Sequence, residues 1–140
     1  MTRNIEVLFG DDQFADVQTR CIFKNDYISE LNKQVPGIQF NWNCQTDHLE
    51  TIREAETRKY HVVVTDLQYT TNGHEGYEVV DAVSRLIPKP LLILCTNSEV
   101  EQRADQKIDF IARPGGKCFH KFDALIKVLA DQYQKEADKK

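Results

Sequence analysis

Two short apolar stretches constrain this chain more than anything else in it. "VVV" at 62–64 and "LLIL" at 91–94 carry no polar residue on either face. A strand of that kind is stable only where packed elements cover both sides of its sheet. The runs "IEVLF" (5–9), "IQFNW" (38–42), "HVVVTD" (61–66), "LLILCT" (91–96) and "IDFIA" (108–112) supply five expected strands, with segments of helical period between them. Phe14, Val17, Cys21, Ile28 and Leu31 mark one face of a long first helix, and Leu49, Ile52 and Ala55 a second. Val79, Val80, Val83 and Leu86 mark a third. The segment "SEVEQRADQK" (98–107) is a short fourth with Ser98 as N-cap, and Phe119, Phe122, Leu125, Leu129 and Tyr133 mark a last one. Regular alternation of this kind implies an α/β fold: a doubly wound, five-stranded parallel sheet flanked by helices, with right-handed crossovers. One domain is expected over 1–134, followed by a charged tail at 135–140.

Composition narrows the function classes. A net charge of −4 among 140 residues argues against a general nucleic-acid binder and offers no basic face to an anionic membrane. No apolar run approaches the ~20 residues that cross a bilayer, and the polar start "MTRNIEV" does not read as a signal peptide. Cys21, Cys44, Cys95 and Cys118 are widely spread and form no CxxC pair, so they read as reduced packing residues of a cytoplasmic protein. His48, His61, His74 and His120 share no metal-ligand spacing, although His74 falls in the loop after the third strand.

In an open parallel sheet, functional groups gather beyond the carboxyl ends of the strands. Strand one runs into Gly10-Asp11-Asp12, strand three into Asp66 and strand four into Thr96. Asp11 and Asp12 also suit the cap of a following helix, and Asp66 the start of a turn. If strands one and three are neighbours, however, three carboxylates meet at one edge, where a cation relieves their repulsion. All-oxygen ligation by carboxylates and water suits Mg²⁺ better than zinc.

From "VLFGDD" through "VVVTDLQ" and "GYEVVDAV" to "LLILCTN" and "IDFIARP", the chain resembles the receiver domain of two-component response regulators. Thr96, thirty positions beyond Asp66, matches a common receiver spacing. The resemblance implies a flavodoxin-like, CheY-like sheet in which Asp66 is the phospho-acceptor. Asp11, Asp12, Asp66 and the main-chain carbonyl of Gln68 would hold Mg²⁺, and Thr96 would bond the phosphoryl group. It implies a histidine kinase or phosphotransfer protein as phosphodonor. It also implies a downstream protein target on the face formed by the fourth helix, the fifth strand and the last helix, with no enzymatic turnover beyond the domain's own phosphorylation and dephosphorylation.

The receiver pattern also wants a lysine and a proline after strand five, and two alignments compete. "IDFIARP" provides the better strand and the proline but puts Arg113 at the lysine position, with Phe110 as the switch aromatic and Lys117 near enough to supply an ammonium. In the second, "KCFHKF" is strand five and Lys121 is the basic residue. The first is favoured, although a planar guanidinium is not equivalent to an ammonium point charge. The loop "QYTTNGHEG" is longer than the family's, and the stretch 24–36 extends the first connection into a partner surface. A pseudo-receiver that binds partners without phosphorylation is the alternative. A Mg²⁺-dependent phosphohydrolase is disfavoured because Gln68 stands where a second aspartate would.

Overall fold

The computed structural model describes residues 3–98, 100 and 107–138. Five strands stand side by side: β1 (Arg3–Gly10), β2 (Ile38–Gln45), β3 (Val62–Thr65), β4 (Leu91–Cys95) and β5 (Phe110–Ala112). Every neighbouring pair is parallel, in the order β2-β1-β3-β4-β5. The chain leaves β1 toward one edge and returns to β1's other side, so the winding reverses between β1 and β3. A crevice at the carboxyl ends of these two strands follows from that reversal.

Both faces of the sheet are covered, as the apolar runs require. Val62, Val64, Ile93 and Cys95 belong to one buried cluster, and Val63, Leu92 and Leu94 to the other. The first cluster lies under Phe14, a π-helical segment (Phe23–Ile28), α2 (Ser29–Gln34) and α5 (Lys121–Asp138), whereas α1 (Val17–Ile22) buries no residue. The second lies under α3 (His48–Thr57) and α4 (Gly76–Ser84). Of the expected fourth helix, residues 99 and 101–106 fall outside the described residues.

The first helix departs from the expected stripe. Val17 and Cys21 are exposed, while Phe14, Phe23 and Leu31 are buried. Phe14 sits in a separate 3₁₀ turn, Asp12–Ala15, and the following helix starts afresh after its cap, Asp16. The π-helical turn then shifts the phase again. A single 3.6-residue period cannot run through three windings. Phe119 is likewise 91% exposed, because α5 begins only at Lys121. That helix is described to Asp138, past the boundary expected at 134.

In α3, Leu49 faces solvent and the buried positions are Thr51 and Ala55. Thr51 tolerates burial because its hydroxyl donates to the Asp47 carbonyl at 2.8 Å. The Asp47 carboxylate in turn accepts from the Glu50 N–H at 3.2 Å, capping the helix. Asp47→Ala should therefore lower stability by about 1 kcal/mol, read as a lower denaturant midpoint at constant slope.

Candidate functional site

The register of β1 on β3 sets Gly10 opposite Thr65, so the next residues, Asp11 and Asp66, emerge together at the crevice. Oxygen atoms of Asp11, Asp12 and Asp66 lie within 4.8 Å of one another. Asp11 is wholly buried, Asp66 nearly so, and Asp12 is exposed. The capping expectation and the convergence expectation both hold for Asp11. Its Oδ1 accepts from the Gln13 N–H at 3.0 Å, which caps the 3₁₀ turn, while its Oδ2 faces the crevice. Asp66 Oδ1 accepts from the Leu67 N–H at 2.7 Å, leaving Oδ2 to point the same way.

Lys121 completes the cluster. Its Nζ reaches Asp11 Oδ2 at 2.5 Å and Asp66 Oδ2 at 3.0 Å, with 1% of the side chain exposed. Three features hold it there. His120 caps α5 reciprocally with Asp123: the His120 N–H donates to Asp123 Oδ2 at 3.0 Å, and the Phe122 N–H donates to His120 Nδ1 at 3.1 Å. Phe122 packs on the rings of Phe9, Phe14 and Phe23, which fixes the first turn against β1. The buried Cys95 thiol donates to the Lys121 carbonyl at 3.5 Å.

The ammonium therefore comes from Lys121 and not from Arg113, which lies exposed immediately after β5; Lys117 is exposed in the turn beyond. Each competing alignment contributed one part. The strand lies at 110–112 and the lysine that contacts the carboxylates at 121, separated by an excursion that a Gly115–Cys118 bridge closes. A sequence signal existed: Lys121 stands four residues before the buried Leu125, on the apolar stripe of α5, where a charged side chain needs a partner.

Burial is the largest influence on the Asp11 carboxyl; Lys121 opposes it and Asp66 reinforces it, and the outcome is a rise from 3.8 to about 7. Burial alone would lower the Lys121 ammonium, but its attraction to Asp11 and Asp66 outweighs that and raises it. Two thiols are poor nucleophiles here: partial burial, aided by Asp11, pushes Cys44 up to about 12, and full burial carries Cys95 well above its ordinary value. All four cysteines are free.

Asp12 and Asp66 open onto a polar cleft of about 320 Å³, lined also by Lys121, Gln68, Thr70, Thr71, Asn72, Asn97 and Ser98, with Asp11 buried behind them. With one ammonium against three acidic side chains, the cluster keeps excess negative charge facing solvent. Its donors are all oxygen, and one carboxylate is exposed, which fits a hard, partly hydrated cation such as Mg²⁺. Thr96 is buried just past β4, where its Oγ1 accepts from the Ser98 N–H at 3.1 Å. Phe110 is 37% exposed on the edge strand β5. His74 is exposed, its ring directed to Tyr77 at 6.1 Å.

No family model matches the sequence, and no curated protein does. Solved structures do. RcsB from Salmonella enterica serovar Typhimurium superposes with a TM-score of 0.59 at 21% identity, over 91% of this chain and 67% of that one. The signal receiver domain of an HD domain-containing protein from Pseudomonas fluorescens Pf-5 gives 0.58 at 14% identity, over 96% and 99%. The chemotaxis response regulator CheY4 of Vibrio cholerae gives 0.55 at 16%, over 92% and 98%. This is the response-regulator receiver fold. The receiver architecture accounts for the position of the crevice, and the residues lining it are this chain's own. Among the described residues, no helix is long and apolar enough to cross a membrane.

Proposed function

We propose that the chain is a phosphoryl-accepting receiver that takes up phosphate on Asp66 and passes the signal on by protein–protein contact. The observation that carries this reading is the meeting of Asp11, Asp12 and Asp66 within 4.8 Å beside the Lys121 ammonium. Asp66 Oδ2 attacks the phosphorus of a phosphohistidine, or of a small donor such as acetyl phosphate. The P–N or P–O bond to the donor breaks, and an acyl phosphate remains on Asp66. Asp11, Asp12, Asp66 and the Gln68 carbonyl would hold Mg²⁺, which supplies charge stabilisation to the transferring group when bound. Lys121, fixed 3.0 Å from Asp66, offers its ammonium to an equatorial phosphoryl oxygen without having to be brought in. Thr96 is the hydroxyl that would bond a second oxygen, and Phe110 the aromatic that would follow its movement to the β5 edge. The face of β5 and α5 is then the target surface, the expected fourth helix lying largely outside the described residues, with a histidine kinase or phosphotransfer protein as donor.

The test is direct. With Mg²⁺ and acetyl phosphate, the intact mass should rise by one phosphoryl group, and beryllofluoride should change the Trp42 fluorescence. Chelator should abolish both, as should Asp66→Asn. An unchanged mass at saturating donor would leave a pseudo-receiver, a binding module acting without phosphorylation. Continuous phosphate release from simple phosphoesters would instead indicate a hydrolase.

A further inference from the structure

The loop between β3 and α4 is folded around one carboxylate. Glu75 occupies the N-cap position of α4, yet its side chain makes no bond to the helix it precedes. It turns back instead: Oε1 accepts from the Tyr69 N–H at 3.3 Å, and Oε2 accepts from the Thr70 hydroxyl in a short bond. The turn inside is closed by the Gly73 N–H donating to the Thr70 carbonyl at 3.0 Å, with Asn72 in the left-handed region at φ 61°. Gly73 leaves the space that the carboxylate fills, since a Cβ there would overlap both Glu75 oxygens and the Thr70 hydroxyl. Tyr69 anchors the near end, its ring buried and its Oη paired with Thr65 Oγ1 at 2.7 Å.

The residues so gathered, Thr70, Thr71 and Asn72, form one wall of the cleft that holds Asp12, Asp66 and Lys121. We propose that Glu75 is a positioning residue that latches this wall and thereby sets the lifetime of the phosphate on Asp66. The inference rests on the phosphoryl-accepting reading above. Loss of the phosphate is a hydrolysis: a water oxygen bonds to phosphorus as the bond from phosphorus to the Asp66 oxygen breaks. Inorganic phosphate leaves, the carboxylate returns, and the water's proton passes to solvent. The attacking water must come through the cleft, so a wall held in place restricts its approach, and a released wall admits it.

The proposal is tested on the full chain, phosphorylated with acetyl phosphate and Mg²⁺, freed of donor, and followed by intact mass. Amide exchange over residues 69–73 is measured on the same samples. Glu75→Ala should speed loss of the phosphate severalfold and speed exchange in the loop. Glu75→Gln, which keeps one carbonyl oxygen for the Tyr69 N–H, should fall between Glu75→Ala and wild type. Gly73→Ala, which leaves Glu75 in place but crowds its oxygens, should reproduce the Glu75→Ala behaviour from the other side of the contact. Faster exchange with an unchanged phosphate lifetime would show the contact to be structural only and overturn the proposal, as would three variants indistinguishable from wild type. A wild-type chain that takes up no phosphate would refute the parent reading, and this inference with it, before any variant is compared.

Discussion

Replacing Lys121 by methionine should lower stability by about 3–5 kcal/mol at neutral pH, although the side-chain volume hardly changes. In the native protein the ammonium lies 2.5 Å from Asp11 and 3.0 Å from Asp66, in a place with 1% exposure. Removing it leaves two buried carboxylates facing each other with no compensating charge. Three outcomes follow from that cause and would not follow from a packing defect. First, the deficit should depend on pH. Asp11 already titrates near 7 in the folded chain against an ordinary 3.8, so the folded state holds this proton more tightly than the unfolded one. The stability it contributes is present at low pH and is lost as the pH rises through about 7. Loss of Lys121, which pulls that value down, moves it higher still, so the methionine variant should suffer most above neutral pH and recover as the pH falls. Second, Asp66→Asn in the methionine background should restore part of the loss, a coupling that a double-mutant cycle measures. Third, Mg²⁺ should stabilise the variant more than it stabilises wild type, because it supplies the missing positive charge. A loss below about 1 kcal/mol that ignores pH and Mg²⁺ would mean that the ion-pair cluster does not balance the site.

Much of this arrangement could be read from the sequence, for a physical reason. A doubly covered strand needs apolar side chains on both faces, so "VVV" and "LLIL" announce central strands, and the residues that follow them must emerge at the carboxyl edge. Asp11, Asp66 and Thr96 were therefore placed by local pattern plus one rule of sheet winding. Lys121 was not. Its position depends on how eight residues, 113–120, fold back from the edge strand, and neither period nor propensity encodes that path. The lysine reaches the crevice because Phe122 docks on three other aromatic rings, a contact between segments more than a hundred residues apart for Phe9 and Phe14. The first helix shows the same limit at shorter range. Its stripe assumed one uniform winding, whereas the chain uses a 3₁₀ turn, an α-helix and a π-helical turn in succession, and Val17 and Cys21 ended outside.

The Glu75 latch lies outside what a sequence pattern can show, yet the residue after it gives the second large expected effect. Gly76→Ala should destabilise the chain by about 1–3 kcal/mol through overpacking. Simple helix energetics predict the opposite sign. Gly76 is the first residue of α4, and alanine is the better helix former by up to about 1 kcal/mol, with a further gain from a less flexible unfolded chain. What decides against that gain is the space. A Cβ at Gly76 would overlap the Asp66 carbonyl oxygen and would come to 2.5 Å from Leu67 Cα and 2.9 Å from the Asp66 carbonyl carbon. These are backbone atoms, so no rotamer change can clear them. The start of α4 must move away from the end of β3, or Asp66 must move, and the 2.8 Å bond from the Gly76 N–H to the Leu67 carbonyl resists the separation. Because the atoms in the way carry Asp66, the proposed phospho-acceptor, the variant should also accept phosphate more slowly at equal donor concentration, even below its unfolding transition. Chemical denaturation and the rate of mass gain with acetyl phosphate measure the two effects separately. If the alanine variant proved more stable than wild type, helix propensity would have outweighed the contact, and the close approach of α4 to Asp66 would not be what holds that carboxylate in position.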